Sequence, residues 1–399
     1  MERRARLLTG LLLTALLLLG CSAAEKVDVG EANQPDEPST GVAAPVEKPV
    51  ESAPDRTEPE LTVTVTVEDN GLLSDGERRV LQDFMTRWYL SVGSFEIQDF
   101  TPVFQGEEEA LSHAASCRTQ TAIRAAAPED LHLTACQVTL TVTDVSRDVI
   151  SVEETTVMQF AGLPGIESEL FDLAHIFAVT GEGDGCRIVY HEADDNPYSS
   201  FSYDEENGVD SNYEDIMANI AQRHALPREP AAELKCDHPY DRQAALTYML
   251  TYADHRNGEW HAYDDEGGNC MNFGSQVLLA GGIPMDYSGY DCWFSEGVSS
   301  VTGSFVNVGW FMDYARCNTG YGLVADADAN YYNGEVGDLL LVGLYGLQHT
   351  TEICGLVQDE KGQTIDYLLC SNTTNYRNFP AGAYYYTRHW LVKIYGWND

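Results

Sequence analysis

The chain has 399 residues, of which 44% are hydrophobic, an ordinary share for a globular protein with two hydrophobic cores. Its 63 Asp and Glu residues far outnumber its 23 Lys and Arg residues, so the formal net charge is −40 at pH 7. This negative charge argues against nucleic acid and anionic lipid head groups as partners, because both would be repelled.

The N-terminus has the pattern of an export signal. Three arginines within the first six residues precede an apolar run, residues 7–19, which is too short to span a membrane. The run ends in Leu18-Leu19-Gly20-Cys21, which resembles the lipobox of bacterial lipoproteins. The resemblance implies that residues 1–20 are a cleaved signal peptide. Lipid on Cys21 would then anchor the protein to the cell membrane, facing the extracytoplasmic side. The alternative is an ordinary secretory signal with an incidental cysteine.

Residues 21–60 predict a disordered tether behind the anchor. Six prolines are spread among acidic and small residues, with almost no large apolar side chain. Such a segment cannot bury enough apolar surface to offset the conformational entropy that ordering would cost. We therefore expect an extended linker that separates the folded part of the chain from the membrane.

Residues 61–230 predict an N-terminal α+β domain and a connector. Alternating apolar residues from Leu61 to Val67 indicate a strand, and Ser74 to Glu77 has the pattern of a capping box that starts a helix. A second helix is expected around residues 107–126, and several strands follow between residues 133 and 191. Helices followed by a run of strands favour an α+β fold, similar in outline to NTF2-like or cystatin-like domains. No catalytic pattern stands out in this domain, which we interpret as a spacer or binding module.

Residues 231–399 predict a second α+β domain, in which helices come first and antiparallel strands follow. Its most informative position is Cys270, where a glycine-bearing loop meets an apolar helix that ends at Gly281-Gly282. A thiol at a helix N-terminus faces unpaired backbone N–H groups, which lower its pKa and favour the nucleophilic thiolate. The same groups can stabilise an oxyanion during acyl transfer. His349 opens one of the later strands and supplies a candidate base.

This second region resembles a known family. The residues that carry the resemblance are Tyr240 to Ala245, Asn269 to Gln276, Ala280 to Met285, Gly337-Asp338 and His349. They follow the pattern of the putative amidase domain, which is related to the CHAP-type amidases and peptidases of the papain-like clan. The resemblance extends from Tyr240 to the C-terminus, and it implies a papain-like fold for residues 231–399.

The resemblance also implies catalytic roles. Cys270 would be the nucleophile and its own N–H an oxyanion donor, while His349 would be the general base. The family places a histidine after the next strand, where this chain has Asn372. An asparagine can orient an imidazole, as in the Cys-His-Asn arrangement of papain-like enzymes, so Asn372 is the predicted third member. Asp366 is a second candidate for that role, and His389 is a competing base that we expect to be a core or surface residue.

Two further polar residues of the block are predicted to support the substrate or the oxyanion. They are Asn269, where the family more often has an aspartate, and Gln276, which lies six residues after the thiol. The alternative for Gln276 and its neighbour Asn272 is hydrogen bonding between the helix and a loop. Asp338 is expected to accept hydrogen bonds in a turn.

The chain has ten cysteines, and an exported protein can oxidise them. Without Cys21 and Cys270, eight remain and could form four disulfides. The pairs closest in sequence are Cys117 with Cys136, Cys292 with Cys317, and Cys354 with Cys370, which leaves Cys186 with Cys236. Pairing of Cys270 with another cysteine is the structural alternative to its catalytic role.

No metal or cofactor is expected, because the sequence lacks the common zinc and EF-hand patterns. Asp326, Asp328 and Asn330 alternate as calcium ligands can, but the closing glutamate is missing.

The sequence therefore predicts an exported, lipid-anchored cysteine amidase or peptidase. Its expected substrate is an amide bond in a peptide or in peptidoglycan. The alternative is a binding or adhesion lipoprotein that keeps the amidase scaffold without turnover.

Overall fold

A computed structural model describes residues 61–194, 203–288 and 292–399. The predicted signal peptide, the lipid anchor on Cys21 and the tether of residues 21–60 lie outside the described residues. Within the described parts of the chain, no helix combines the length and the apolar character that crossing a membrane requires.

The first half of the described chain forms helices that pack on long strands. The capping box predicted at Ser74 is present, because Ser74 N donates to Glu77 Oε2 and Glu77 N donates to Ser74 Oγ. The helices are α1 (Asp75–Ser94), α2 (Glu107–Ala125) and α3 (Tyr213–His224). The strands are β1 (Thr62–Glu68), β2 (Leu133–Ser146), β3 (Val149–Phe160), β4 (Ser168–Thr180), β5 (Arg187–Ala193), β6 (Tyr203–Asp204) and β7 (Val209–Asp210).

The second half places its helices before most of its strands, as predicted. After the short β8 (His238–Pro239), the helices are α4 (Arg242–Tyr252), α5 (Cys270–Ala280), α6 (Gly303–Val306) and α7 (Val308–Cys317). The strands that follow are β9 (Gly322–Ala329), β10 (Leu339–Gly343), β11 (His349–Gln358), β12 (Thr364–Ser371), β13 (Asn375–Pro380) and β14 (Arg388–Asn398).

Twelve of these strands form one sheet. Its order is β1-β2-β3-β4-β13-β12-β11-β10-β14-β8, with β5 added to β4 and β9 added to β14. β1 and β2 are parallel, and every other pairing between the described strands is antiparallel. The predicted α+β class is therefore confirmed.

The sheet is continuous between the two predicted domains, because β13 pairs with β4. Arg377 forms an ion pair with Glu169 at 2.9 Å across this junction, and Ser168 Oγ donates to the backbone oxygen of Asn378 at 2.7 Å. The described residues belong to one compact unit. A shared sheet does not by itself decide whether two parts of a chain fold or evolve as separate domains, so the boundary at residues 230 and 231 stays a prediction.

The nine cysteines among the described residues are all free, so none of the four predicted disulfides is formed in this structure. Those pairs were predicted from separation along the chain, which does not fix the Cα–Cα distance or the direction of the Cβ atoms. The thiols of Cys354 and Cys370 lie within hydrogen-bond contact on neighbouring strands.

Candidate active site

Cys270 is the first residue of α5, as the sequence predicted, and its side chain is buried at 8% exposure. Burial is the largest influence on this thiol and raises its pKa to about 11. The backbone N–H groups of Thr350, Met271 and Cys270 itself act in the opposite direction, because their hydrogen bonds stabilise the thiolate. The predicted effect of the helix N-terminus is therefore present, but desolvation outweighs it in this structure.

Asn269 and Asn372 hold the start of α5 against the turn after β12. Asn269 Nδ2 donates to Asn372 Oδ1 at 2.6 Å, and Asn372 Nδ2 donates to the backbone oxygen of Tyr252 at 3.0 Å. The backbone N–H of Asn269 also donates to Thr373 Oγ1 at 2.7 Å. The amide of Asn372 is thus engaged by Asn269 and Tyr252. Its predicted role in orienting His349 stays a prediction.

The other amides of the block connect α5 to the parts of the chain before it. Asn272 Nδ2 donates to Asn269 Oδ1 at 2.8 Å and to the backbone oxygen of His261 at 3.0 Å. Gln276 Oε1 accepts a hydrogen bond of 2.7 Å from the hydroxyl of Tyr248. The contacts of Asn272 correspond to the helix-to-loop alternative, whereas Gln276 joins α5 to helix α4. The substrate role predicted for Gln276 stays a prediction.

Strand β11 brings the backbone of Thr350 to Cys270 and the side chain of Thr350 to α5. Thr350 Oγ1 donates to Met271 Sδ at 3.4 Å, so the side chain of Thr350 faces the helix. Successive side chains of a strand point to opposite faces of its sheet, which places the His349 ring on the other face. There the ring stacks on Tyr384, with centroids 6.2 Å apart and an interplanar angle of 17°. The pairing of His349 with Cys270 as base and nucleophile stays a prediction.

The imidazole of His349 is nevertheless in a state that can accept a proton. Burial lowers its pKa to about 4, so the ring is neutral at pH 7. Its Nε2 atom is buried and has no hydrogen-bond partner among the described residues.

Glu352 is a residue that the sequence interpretation missed. It lies on β11, on the same face as Thr350, and its side chain is fully buried. Neither carboxyl oxygen has a hydrogen-bond partner in the described parts of the chain, and burial raises its pKa well above the usual range. The sequence does contain one sign of Glu352, which is the only acidic residue in an otherwise uncharged strand. A buried carboxyl group of this kind is uncommon unless it is paired or functional.

The remaining candidates have structural partners. Asp338 accepts hydrogen bonds from Arg242 Nη1 at 2.8 Å and from the backbone of Ile394 at 2.9 Å, which supports its predicted structural role. Asp366 accepts from the hydroxyl of Tyr331 and from the backbone N–H of Gly382.

The two other candidates named from the sequence also have protein partners. His389 contacts Arg223 Nη1 at 2.9 Å, and Asp328 pairs with Arg316 at 2.5 Å. Among the residues that the structure describes, no group of three or more His, Cys, Asp or Glu side chains is arranged to hold a metal ion.

Comparison with known proteins finds one similarity, in the C-terminal part of the chain. Residues 239–395 match the family model described as putative amidase domain. The match includes Cys270, His349 and Asn372, and it confirms the resemblance predicted from the motifs. No curated protein and no solved structure matches the chain.

Proposed function

Because residues 239–395 match the model of the putative amidase domain family, we propose that this protein hydrolyses amide bonds with Cys270 as its nucleophile. The observation that carries the proposal is the position of the thiol at the first residue of α5, with three backbone N–H groups directed at it. Such groups stabilise a thiolate and can stabilise the oxyanion that forms on a substrate carbonyl.

In this mechanism, the sulfur of Cys270 attacks the carbonyl carbon and forms a tetrahedral intermediate. The intermediate collapses to a thioester as the amine leaves with a proton, and water hydrolyses the thioester to release the acid. A thiol with a pKa of about 11 is ionised in only about one molecule in ten thousand at pH 7, so a proton acceptor is needed. His349 is the acceptor implied by the family pattern. Its ring is neutral at pH 7, and the burial that lowers its pKa also makes it a weaker base.

We place this activity outside the cytoplasm, on a lipid anchor at Cys21. The charged, apolar and small-residue segments of residues 1–21 support export and lipidation. Peptides of peptidoglycan are the proposed substrate, because they are an amide-rich polymer within reach of a tethered extracytoplasmic enzyme.

The alternative function is that of a binding or adhesion lipoprotein. It is favoured by the placement of the His349 ring on the face opposite α5, and by the use of the Asn372 amide in binding Asn269 and Tyr252. A scaffold of this kind could bind wall peptides without cleaving them.

Digestion of purified sacculi, followed by mass spectrometry of the released peptides, tests the two functions. We expect the wild-type protein to release peptides with a new carboxyl end, and Cys270→Ala to release none while its thermal unfolding is unchanged. Cys317→Ala removes an exposed thiol at the end of α7 and should behave as the wild type. Retained activity in Cys270→Ala would remove Cys270 from the mechanism. Binding to sacculi without release by the wild type would support the alternative.

A further inference from the structure

Gly274 in α5 and Glu352 in β11 fit against each other. A Cβ atom added to Gly274 would lie 3.1 Å from Glu352 Oε1 and 3.2 Å from both Met271 Cε and Thr350 Cγ2. Glycine is unfavourable in the interior of a helix. Here its missing side chain leaves the space that the carboxyl group of Glu352 occupies.

The contact with Gly274 also shows where Glu352 lies relative to the nucleophile, Cys270. Residues four apart in a helix lie on the same face, so Cys270 and Gly274 are neighbours on the side of α5 that faces β11. The carboxyl of Glu352 is therefore packed under the helical turn that begins with Cys270. Glu352 is the one acidic side chain of β11.

Among the described residues, the charge of Glu352 is compensated only by its own backbone N–H. Both carboxyl oxygens are fully buried and lack hydrogen-bond partners among the described residues. The titratable groups that interact with it are Cys270 on α5, its cross-strand neighbour Cys370 on β12, and Tyr240 before α4. Each of these groups is neutral when protonated and becomes negative when it ionises. Burying an unpaired carboxyl is costly, and packing alone gives no reason for one at this position.

We propose that Glu352 is a positioning residue of the active site, which controls the ionisation of the Cys270 thiol from beneath the first turn of α5. Two negative charges close together in a water-excluded site oppose each other, so the thiolate forms readily only while Glu352 keeps its proton. Glu352 thereby sets the pH range in which the nucleophile can form. The consequence for catalysis rests on the proposed function, but the effect on the thiol does not.

The rate of Cys270 alkylation by iodoacetamide, measured against pH, tests this proposal. Peptide mass spectrometry distinguishes Cys270 from the other free thiols. Glu352→Gln removes the charge at nearly constant volume, and we expect it to lower the pH of half-maximal alkylation by on the order of one unit. Glu352→Asp keeps a carboxyl group farther from α5 and should give a smaller shift than Glu352→Gln. Glu360→Gln removes an exposed charge from the turn after β11 and should leave the profile unchanged.

If folded Glu352→Gln has the same pH of half-maximal alkylation as the wild type, or a higher one, the proposal is wrong. Such a result would mean that the carboxyl group of Glu352 does not oppose ionisation of the Cys270 thiol. If the Gln variant does not fold, Glu352→Met supplies an apolar side chain of similar length, and the same lowered profile is expected. Alkylation needs no substrate, so the result is independent of amide hydrolysis. Retained hydrolysis in Cys270→Ala would refute the proposed nucleophile and leave the alkylation result standing.

Discussion

Asn269 Nδ2 donates a hydrogen bond of 2.6 Å to Asn372 Oδ1, and so joins the residue before the nucleophile to the turn between β12 and β13. Both side chains are buried, at 3% and 1% exposure. The position of Cys270 therefore depends on a residue far along the chain, which was predicted to act on His349. The hydrogen bonds of Asn372 fix the helix that carries the thiol.

We expect Asn372→Ala to destabilise the protein by about 1–3 kcal/mol, because it leaves the buried amide of Asn269 and the carbonyl of Tyr252 without their partner. Urea denaturation of Asn269→Ala, Asn372→Ala and the double variant measures the coupling. A double-mutant cycle should give at least about 0.5 kcal/mol of interaction energy, as expected for residues in direct contact. Strictly additive losses would mean that the contact contributes nothing to stability.

The placement of His349 gives a second prediction, in which stability and activity are measured on the same variant. Its Nε2 atom is buried without a partner among the described residues, and its ring stacks on Tyr384. His349→Phe keeps an aromatic ring there and removes the unpaired polar atom. We expect the free energy of unfolding to stay the same or to rise by up to about 1 kcal/mol. A loss of more than about 1 kcal/mol in urea denaturation would show that the imidazole has a stabilising partner in solution.

The rate of amide hydrolysis by His349→Phe tests whether His349 is the proton acceptor. A general base contributes about 10²- to 10⁴-fold to the rate, so loss of kcat on this scale with an unchanged KM would assign that role to His349. Activity close to that of the wild type would exclude it, and would agree with the position of the ring on the face opposite α5. His389→Phe is a useful comparison, since His389 contacts Arg223 and was the competing candidate in the sequence.

The sequence predicted local structure better than the arrangement of the site. The capping box at Ser74, the start of α5 at Cys270 and the order of helices and strands follow from short-range patterns, and each is present. Which face of β11 carries His349 depends on strand register, and a shift of one residue reverses it. The contact between Glu352 and Gly274 could not be predicted from either residue alone. The sequence does not indicate that the carboxyl group of Glu352 fills the space beside Gly274.

A chain of buried histidines in the first half of the protein also has no signal in the sequence, because its members lie far apart along the chain. His113 Nε2 lies 3.0 Å from His191 Nδ1, and His191 Nε2 lies 2.9 Å from His175 Nδ1. His175 Nε2 contacts Glu154 Oε2 at 2.9 Å. At the other end, His113 Nδ1 donates to the backbone oxygen of Glu109 at 2.8 Å, since a carbonyl can only accept.

The hydrogen bond from His113 Nδ1 to Glu109 determines which nitrogen carries the proton in the neutral histidines of this series. Neutral His113 must accept at Nε2 from His191 Nδ1, and neutral His191 must accept at Nε2 from His175 Nδ1. An added proton on His113 or His191 is accommodated only if neighbouring rings change tautomer, because two N–H groups cannot face each other in a hydrogen bond. Burial lowers the pKa values of both rings and so favours their neutral forms.

The pH dependence of stability follows from these shifts. The pKa of His113 is about 4 in the folded protein and about 6.5 when unfolded, so the unfolded chain binds more protons below pH 6.5. This contribution to stability is fully present above pH 6.5 and is lost as the pH falls towards 4. It is about 3 kcal/mol for His113, and His191 acts in the same direction. Urea denaturation between those two pH values should show a steep loss of stability. His113→Gln should make it less steep, whereas His132→Gln, at an exposed histidine paired with Asp130, should not. An equally steep loss in His113→Gln would show that His113 is already protonated in the folded protein.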